Sequence, residues 1–443
     1  MMDLYRIMHD AYYGSGGFEG PYLLRYPRES DENYRLRRRA SYYLNYFAPI
    51  VNALVDPIFK KKPLRDWSGA ASSVMAEFTE DVDGAGTGIN DFMKRAALEA
   101  KLYGAVFIVV ENFAGEDLPD NMGEVLEGRK FPYAYIISPG RVEDYSMDKN
   151  GRILRIKFTD ISGQSSDAGD HRRTVTFTET SWHVEEDGKP AGDGEHGLGA
   201  VPVIFFPSQN TDAGDIHPSP ELYPQARAAI AIYNHCSWLT EILRNQTFPI
   251  LTFPSTQAKD LTLGTNNALC FDGEVSKFQP GFIAPPSDPA QLIQSQIELL
   301  IREMYRMASL SFISDTKDQT SGIARQWEFE RTNQRLSEFA ARCAKAEKRM
   351  AEMAALWMHM DLTYTVSYSQ DFGITDTETD MKNAQALMDL GLSPEMKIEA
   401  ARRVLASYAP DMPAGRYDEI MADVERQARE PSYNEPPSPT GDD

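Results

Sequence analysis

The side chains that could carry out chemistry are scattered along the sequence and form no recognised catalytic pattern. The histidines lack the H-E-x-x-H, H-x-H and facial-triad spacings that would hold a metal ion. There is no G-x-S-x-G, no G-K-S/T, and no partner that would shift the pKa of an acid pair such as Glu185-Glu186. We therefore predict a protein that is not an enzyme and has no metal or cofactor. Each histidine is expected to be a solvated or core residue: His9, His171, His183, His196, His217, His235 and His359.

Three other features resemble sites but have simpler explanations. The GAGTG at Gly84 to Gly88 follows no predicted strand and precedes no Lys-Ser/Thr, which favours a flexible linker over a phosphate loop. The DKNG at Asp148 to Gly151 begins like a calcium loop but lacks the later glutamate, so a hairpin turn explains it better. The cysteines, Cys236, Cys270 and Cys343, form no C-x-x-C, which indicates a reducing environment rather than disulfides or zinc.

Charge limits the partners of the protein. The net charge is −21, so the chain repels polyanions on average, and an enzyme acting on nucleic acid is disfavoured. The two dense basic clusters, Arg35 to Arg39 and Lys60 to Lys62, are interpreted as a solvated rim or as ion-paired surface. No signal peptide or membrane span is expected from the apolar runs.

The first half of the sequence predicts a mixture of helices, strands and loops that would position these side chains. We predict an irregular arm over residues 1–35 and a helical stretch from Leu36 to Ile58, kinked by Pro49 and Pro57. Asn90 is predicted to cap a helix that ends at Leu102. Residues 161–172 and 186–199 read as exposed loops. Strands are predicted over residues 106–110, 133–137, 153–158, 174–177, 182–184 and 201–206.

The second half of the chain is mainly helical. Helices over residues 219–245 and 288–310 bracket a small β insertion, and the first has apolar residues on more than one face. After a polar break comes one long helix, because apolar residues recur at alternating three- and four-residue steps. A helix of this length must either cross a large domain or line an assembly of several chains. The recurring residues are Phe329, Thr332, Leu336, Phe339, Cys343, Ala346, Met350, Met353, Trp357 and Met360.

Beyond this helix we predict a strand over residues 363–367 and helices over residues 380–390, 393–408 and 417–429. The order and spacing of several stretches, rather than any single motif, resemble bacteriophage portal proteins, the rings through which DNA enters and leaves a capsid. The stretches are RRRASYYLNYFAPIVNALVDPIFKKKP (37–63), LEAKLYGAVFIVVE (98–111), FPYAYIISPGRVEDYS (131–146), VPVIFFP (201–207), PSPELYPQARAAIAIYNHCSWLTEILRNQTFPIL (218–251) and TSGIARQWEFERTNQRLSEFA (320–340).

The resemblance implies an α+β portal fold with a mixed α/β wing, a two-helix stem, a small α/β clip, a long heptad-patterned wing helix and an α-helical crown. The implied divisions are a wing (1–217), a stem helix (218–246), a clip (247–287), a second stem helix (288–310), a tunnel loop (311–324), the long wing helix with a short strand (325–370), a crown (371–430) and a disordered tail (431–443).

It also implies roles for particular residues. Arg302 and Arg306 would face the stem channel, although pairing with Glu298 and Glu303 is an equally good interpretation. Lys259, Asp260 and Lys277 would belong to the clip that docks the motor and neck proteins. An oligomer or core seam would comprise Phe329, Leu336, Phe339, Met350, Met353 and Trp357. The DNA-facing tunnel loop would contain Ser314, Asp315, Thr316, Lys317, Asp318, Gln319 and Thr320.

The implied partners are eleven further copies in a twelve-subunit ring, the terminase large subunit, a head-completion or neck adaptor protein, major capsid and scaffolding proteins, and double-stranded DNA passing through without sequence readout. The implied location is the portal vertex of a virion, after assembly in the host cytoplasm. An alternative from the same residues is an oligomeric helical scaffold or adaptor protein of a virion, without a DNA channel, that assembles through the seam of the long helix.

Overall fold

The computed structural model describes most of the chain. The described residues are 2–112, 131–160, 172–212, 214–247, 250–254, 268–271, 281–283, 288–310, 322–370, 372, 393–408 and 414–429. Helix accounts for 52% and strand for 20% of them, so the protein is of mixed α and β structure, compatible with the α+β class. The chain divides into two compact units, Met1–Asp371 and Phe372–Asp443.

The described helices are α1 (Met2–Tyr13), α2 (Asp31–Ala40), α3 (Phe47–Ala53), α4 (Asp56–Lys60), α5 (Ser72–Glu80), α6 (Ile89–Tyr103), α7 (Tyr223–Thr247), α8 (Asp288–Met307), α9 (Gly322–Trp357), α10 (Pro394–Tyr408) and α11 (Ala414–Arg429). The described strands are β1 (Leu64–Ser68), β2 (Ala105–Glu111), β3 (Tyr133–Ile137), β4 (Val142–Met147), β5 (Ile153–Thr159), β6 (Arg173–Thr178), β7 (Ser181–Glu186), β8 (Lys189–Glu195), β9 (Val203–Pro207), β10 (Ile250–Pro254), β11 (Ala268–Phe271), β12 (Gly281–Ile283) and β13 (Thr363–Ser367).

The main core lies between two antiparallel sheets. One has the order β3-β2-β9, and the other is a five-stranded meander from β4 to β8. Phe107 and Val109 of β2 join Ile156, Phe158 and Phe177 of the meander in one buried cluster. Strand residues alternate between faces, so the other residues of β2 face the opposite side, where α6 and α9 contact this strand. This explains why every residue from Ala105 to Val110 is buried.

Two smaller sheets complete the first unit. β1 pairs antiparallel with β13, which joins residues about 300 positions apart. β10 pairs in parallel with β11 and antiparallel with β12, so a three-stranded sheet lies between α7 and α8 in the sequence. α7 and α8 pack against each other, and α7 also contacts α1, α2 and α3. The second unit contains α10 packed on α11.

Many of the predicted elements are confirmed, some to the residue. The strands over residues 133–137 and 363–367 have the predicted bounds, and the long helix is continuous over 36 residues. The DKNG turn joins β4 to β5, with the Asp148 carboxylate accepting hydrogen bonds from the backbone N–H groups of Asn150 and Arg152. The predicted helix over residues 380–390, most of the loop over 161–172 and the C-terminal tail lie outside the described residues.

Four local predictions are wrong. The expected irregular arm contains α1 and α2, and the expected helix over 36–58 is replaced by α2, α3 and α4, with Pro49 and Pro57 each in the first turn of a helix. Gly88 rather than Asn90 precedes α6, and the Asn90 side chain instead accepts a hydrogen bond from Arg65. The expected loop over 186–199 contains β8, where the Trp182 ring packs on Gly192 and Gly194.

Candidate functional site

The first half of α7 is fixed to the N-terminal segment. The Asn234 amide accepts a hydrogen bond from the Leu24 N–H (2.7 Å) and donates one to the Tyr22 carbonyl (3.0 Å). Leu222, Ala226, Ala229, Ile232, Tyr233 and Cys236 are buried along this part of the helix. The broad apolar character that the sequence shows here is therefore satisfied largely within the chain.

The arginine cluster before α3 contains one deeply buried member. Arg37 is 2% exposed and forms two hydrogen bonds to the Glu29 carboxylate, each 2.7 Å long. Its guanidinium also lies 4.1 Å from the centre of the Tyr26 ring. The hydrogen bonds from Arg37 lower the pKa of Glu29. Arg37 is thus ion-paired, as one of the two interpretations predicted, but in the interior rather than on the surface.

The α8 helix presents apolar side chains to solvent. Only Ile297 and Met304 are buried on it. Leu292 is 72% exposed, Leu299 is 42% exposed and Met307 is 41% exposed. Leu292 and Leu299 are seven residues apart and therefore share one face of the helix. We call Leu292, Leu299 and Met307 the α8 stripe.

An open cavity of mixed polar and apolar character lies beside the end of α7. Residues of the N-terminal segment and of α7 line this cavity of about 640 Å³. Leu36 and Tyr26, which are both exposed, lie on its wall. The lining comprises Tyr26, Pro27, Arg28, Glu29, Asn33, Leu36, Glu241 and Arg244. The cavity therefore offers two exposed apolar side chains among charged and polar ones, unlike the α8 stripe.

The two arginines predicted for the stem channel are both exposed on α8. Arg306 donates hydrogen bonds of 2.8 and 2.6 Å to the Glu303 carboxylate, one turn earlier on the same helix. Arg306, through these bonds, and Arg302, through its charge, lower the pKa of Glu303. The intrahelical ion pair that the sequence offered as an alternative is thus formed by Arg306.

Two other sets of predicted residues lie outside the described part of the chain. One is the loop set Ser314, Asp315, Thr316, Lys317, Asp318, Gln319 and Thr320, and the other is the clip set Lys259, Asp260 and Lys277. Their roles stay predictions.

The seam of α9 is covered by the same chain. Leu336, Phe339 and Met350 are each at most 5% exposed, and the Phe339 ring stacks on Phe206 of β9. Trp357, partly buried, donates a hydrogen bond from Nε1 to the Val110 carbonyl (2.7 Å). Met353 is also partly buried, and Phe329 belongs to α9 but its side chain is not among those described. Of the two roles given to this seam, oligomer contact or core, these side chains fit the core, because strands β2, β9 and β13 and helix α6 contact α9.

A buried carboxylate on α9 was missed by the sequence reasoning. Glu347 is 0% exposed, and Arg65 of β1 binds both of its oxygens at 2.6 and 3.0 Å. The hydroxyls of Tyr364 and Tyr368 donate to the same carboxylate. Burial alone lowers the pKa of Arg65, but the hydrogen bonds and charge of Glu347 outweigh it and the net shift is upward. The network holds the β1–β13 sheet against the long helix.

A second buried charge network joins α6 to α9. The Lys101 ammonium, 5% exposed at the residue level, lies 2.6 Å from Glu221 Oε1, just before α7, and 4.1 Å from the centre of the Phe339 ring. Arg335 of α9 approaches the other oxygen of Glu221 at 3.7 Å. Burial lowers the pKa of Lys101, and the attraction of Glu221 opposes that shift. Nothing in the local sequence marks these residues, because their partners are more than 100 positions apart.

The structure brings no group of three or more metal-ligating side chains together among the residues it describes. Cys343 is fully buried on the seam, and burial raises its pKa. His196 is 7% exposed and lies between Phe177 and Trp357. Within the described ranges, no helix combines the length and apolarity needed to cross a membrane.

No protein-family model matches the chain, and no curated protein matches it. Among solved structures, the chain is similar to one from the neck of an empty GTA particle, computed with C6 symmetry, at 10% identity. The match covers 84% of this chain and 89% of that one, with a TM-score of 0.43.

Proposed function

We propose that this chain is the subunit of a phage portal, a ring at one capsid vertex that conducts double-stranded DNA during packaging and ejection. The observation that carries the proposal is that α7 packs on α8 and is held by Asn234 to the N-terminal segment, while the α8 stripe lies in solvent. The order of elements also fits the resemblance found in the sequence, with a small sheet between two long helices and a 36-residue helix after them.

A ring formed by rotation needs two different, complementary surfaces on each subunit. The α8 stripe is one such surface, because clustered exposed apolar groups commonly mark contacts between proteins. The cavity beside the end of α7 is our candidate for the other, with Tyr26 and Leu36 as its apolar part. We propose that neighbouring copies bury them, with twelve subunits expected from the family resemblance.

The negative net charge fits a channel through which DNA moves. A chain of net charge −21 repeated around a ring surrounds the bore with negative potential, which keeps a duplex from binding tightly to the wall. Arg302 and Arg306 then offer weak phosphate contacts without base readout. Because Arg306 is already paired with Glu303, its share of such contacts is expected to be small.

The remaining functions are assigned to partners. We propose that the clip, including Lys259, Asp260 and Lys277, docks the terminase large subunit and later a neck adaptor protein. Nucleotide hydrolysis would belong to the terminase, and the ring itself would be non-enzymatic. Residues 314–320 would contact the moving duplex.

The test is direct imaging of the purified protein. We expect electron microscopy to show rings with a central hole wide enough for a DNA duplex, and mass photometry to show one oligomer. The double variant Leu292→Asp and Leu299→Asp should remain folded and monomeric. The matched control is Leu64→Asp, since Leu64 is 75% exposed and belongs to β1 rather than to α8 or the residues that line the cavity.

Two outcomes would contradict the proposal. One is a monodisperse wild-type monomer across a range of buffers, and the other is normal rings from the double variant. The alternative, a channel-free scaffold assembling through the α9 seam, predicts oligomers without a hole. That alternative is weakened by Leu336, Phe339 and Met350, which are already buried inside the subunit.

A further inference from the structure

The turn that ends α8 has an unusual backbone. Ser309 has φ of 62°, in the left-handed region that glycine normally occupies at the end of a helix. The Leu310 N–H bonds to the Tyr305 carbonyl (2.8 Å), and the Ser309 N–H bonds to the Arg306 carbonyl (3.0 Å). This pair of bonds is the Schellman arrangement, here built on a serine that pays a conformational cost.

The turn is held in place from α9. Thr332 donates a hydrogen bond to the Ser309 carbonyl. The Arg335 guanidinium donates to the Ala308 carbonyl and to Ser309 Oγ, both at 3.1 Å. Ala308 and Leu310, on either side of the serine, are buried. Two side chains of one helix therefore fix the end of another.

Arg335 also belongs to the buried charge network that reaches α6. Its guanidinium is shared between the Ser309 turn and Glu221, whose other oxygen is bound by Lys101. The other cation near Lys101 is Arg342, which binds Asn210 and lies 4.0 Å from Glu338. If Lys101 did not neutralise Glu221, the carboxylate would compete with the turn for Arg335.

We propose that the Ser309 turn is a strained latch between α8 and α9, and that Lys101 and Glu221 control how firmly Arg335 closes it. When the latch opens, the end of α8 is released from α9 while the sheets keep their structure. The latch belongs to the single subunit, so it does not depend on ring formation.

Hydrogen exchange of the full-length protein, followed by mass spectrometry, tests the coupling. Lys101→Met places an unbranched side chain of similar length beside Phe339 but removes the charge, and we expect exchange in the peptide covering residues 304–310 to rise at least tenfold. The matched control is Lys94→Met on the same helix, because Lys94 is half-exposed and pairs with the exposed Asp56. Exchange in β2 and in the β4–β8 sheet should change less than twofold in both variants.

Two results would overturn the coupling. One is a change below twofold at residues 304–310 in Lys101→Met, and the other is an equal rise in every peptide of the first unit, which would indicate general destabilisation. Should Lys101→Met fail to fold, Glu221→Gln tests the same link from the other side, because it removes the carboxylate that competes for Arg335. Slower exchange at the turn is then the supporting result, and unchanged or faster exchange is the opposing one.

A second comparison isolates the strain. Ser309→Gly and Ser309→Ala both remove the hydroxyl and differ only in their preference for the left-handed backbone. We expect the turn to exchange at least threefold more slowly in the glycine variant than in the alanine variant. Equal exchange in the two variants would show that the backbone stores no strain and would refute the latch.

Discussion

The seam of α9 and the α8 stripe are both rows of apolar side chains on a helix, but the seam is buried within the chain and the stripe is exposed. Phe339 on the seam is 1% exposed, because β9 of the same chain packs on it, whereas Leu292 on α8 is 72% exposed. Helical periodicity reports that a face must be buried and does not report which chain buries it. The stronger pattern in this sequence is buried within the chain, and the weaker one is exposed, as the proposed assembly requires.

The largest expected effect is at the buried carboxylate that supports the seam. Glu347→Ala leaves Arg65 buried without its partner and should lower the free energy of unfolding by about 3–5 kcal/mol. Urea unfolding of the monomeric double variant measures this without interference from assembly. Glu352→Ala is the control, since its pair with Lys348 is half-exposed and should contribute no more than about 0.5 kcal/mol. A loss below about 1 kcal/mol for Glu347→Ala would mean that the network does not hold β1 to α9.

Two side-chain truncations of similar size, one on the α9 seam and one on the α8 stripe, test whether the two helices differ in burial. Met350→Ala on the seam creates a cavity and should cost about 2–5 kcal/mol of unfolding free energy. Leu299→Ala on the stripe should change the stability of the unassembled subunit by less than about 0.5 kcal/mol while weakening oligomer formation. Urea unfolding gives the first quantity and mass photometry over a dilution series gives the second. If the two variants lose similar stability as monomers, the distinction between the helices is wrong.

A smaller effect is expected from acid. Burial lowers the pKa of His196 and of His217 in the folded protein below the ordinary value of 6.5. The unfolded chain then binds more protons, so the free energy of unfolding should fall as the pH drops below about 6.5. His196→Phe should reduce this dependence by at most about 1.4 kcal/mol per pH unit, the value for one proton. Urea unfolding at pH 7 and pH 5.5 measures it, and equal slopes in the two proteins would argue against a buried neutral His196.

The smallest effect is expected at the exposed α8 pair. Arg306→Gln should change the free energy of unfolding by no more than about 0.5 kcal/mol, because its pair with Glu303 lies in solvent. Ring formation should be normal by electron microscopy. A ring that no longer assembles would place Arg306 in a subunit contact rather than in the bore.

The sequence predicts strands and long helices well where local periodicity decides them. It fails at α1, whose buried residues Tyr5, Met8 and Ala11 follow a helical spacing that the glycines after it obscured. It fails again at β8, because Lys189–Glu195 contains two glycines and a proline. The segment pairs with β7, and the Trp182 ring of β7 packs on its two glycines.

The candidate sites are less predictable than the fold. Glu347 lies four residues after Cys343 and so falls on the buried face of α9, but its partner Arg65 is 282 positions away. Lys101 and Glu221 are 120 positions apart. Such pairs depend on the tertiary arrangement of the chain, which no local pattern encodes. The exposed α8 stripe could be predicted as apolar, but its exposure could not.

The two-stranded sheet of β1 and β13 limits when the chain can finish folding during synthesis. Within the described sheets β13 is the sole neighbour of β1, and Asp66 and Thr365, which face each other, are separated by 299 positions. A strand synthesised early therefore waits until the ribosome has passed residue 367 before it can pair. Closing so long a loop is slow and costly in chain entropy. Until then both edges of β1 lack a strand partner, so this sheet is among the last pairings that the growing chain can form.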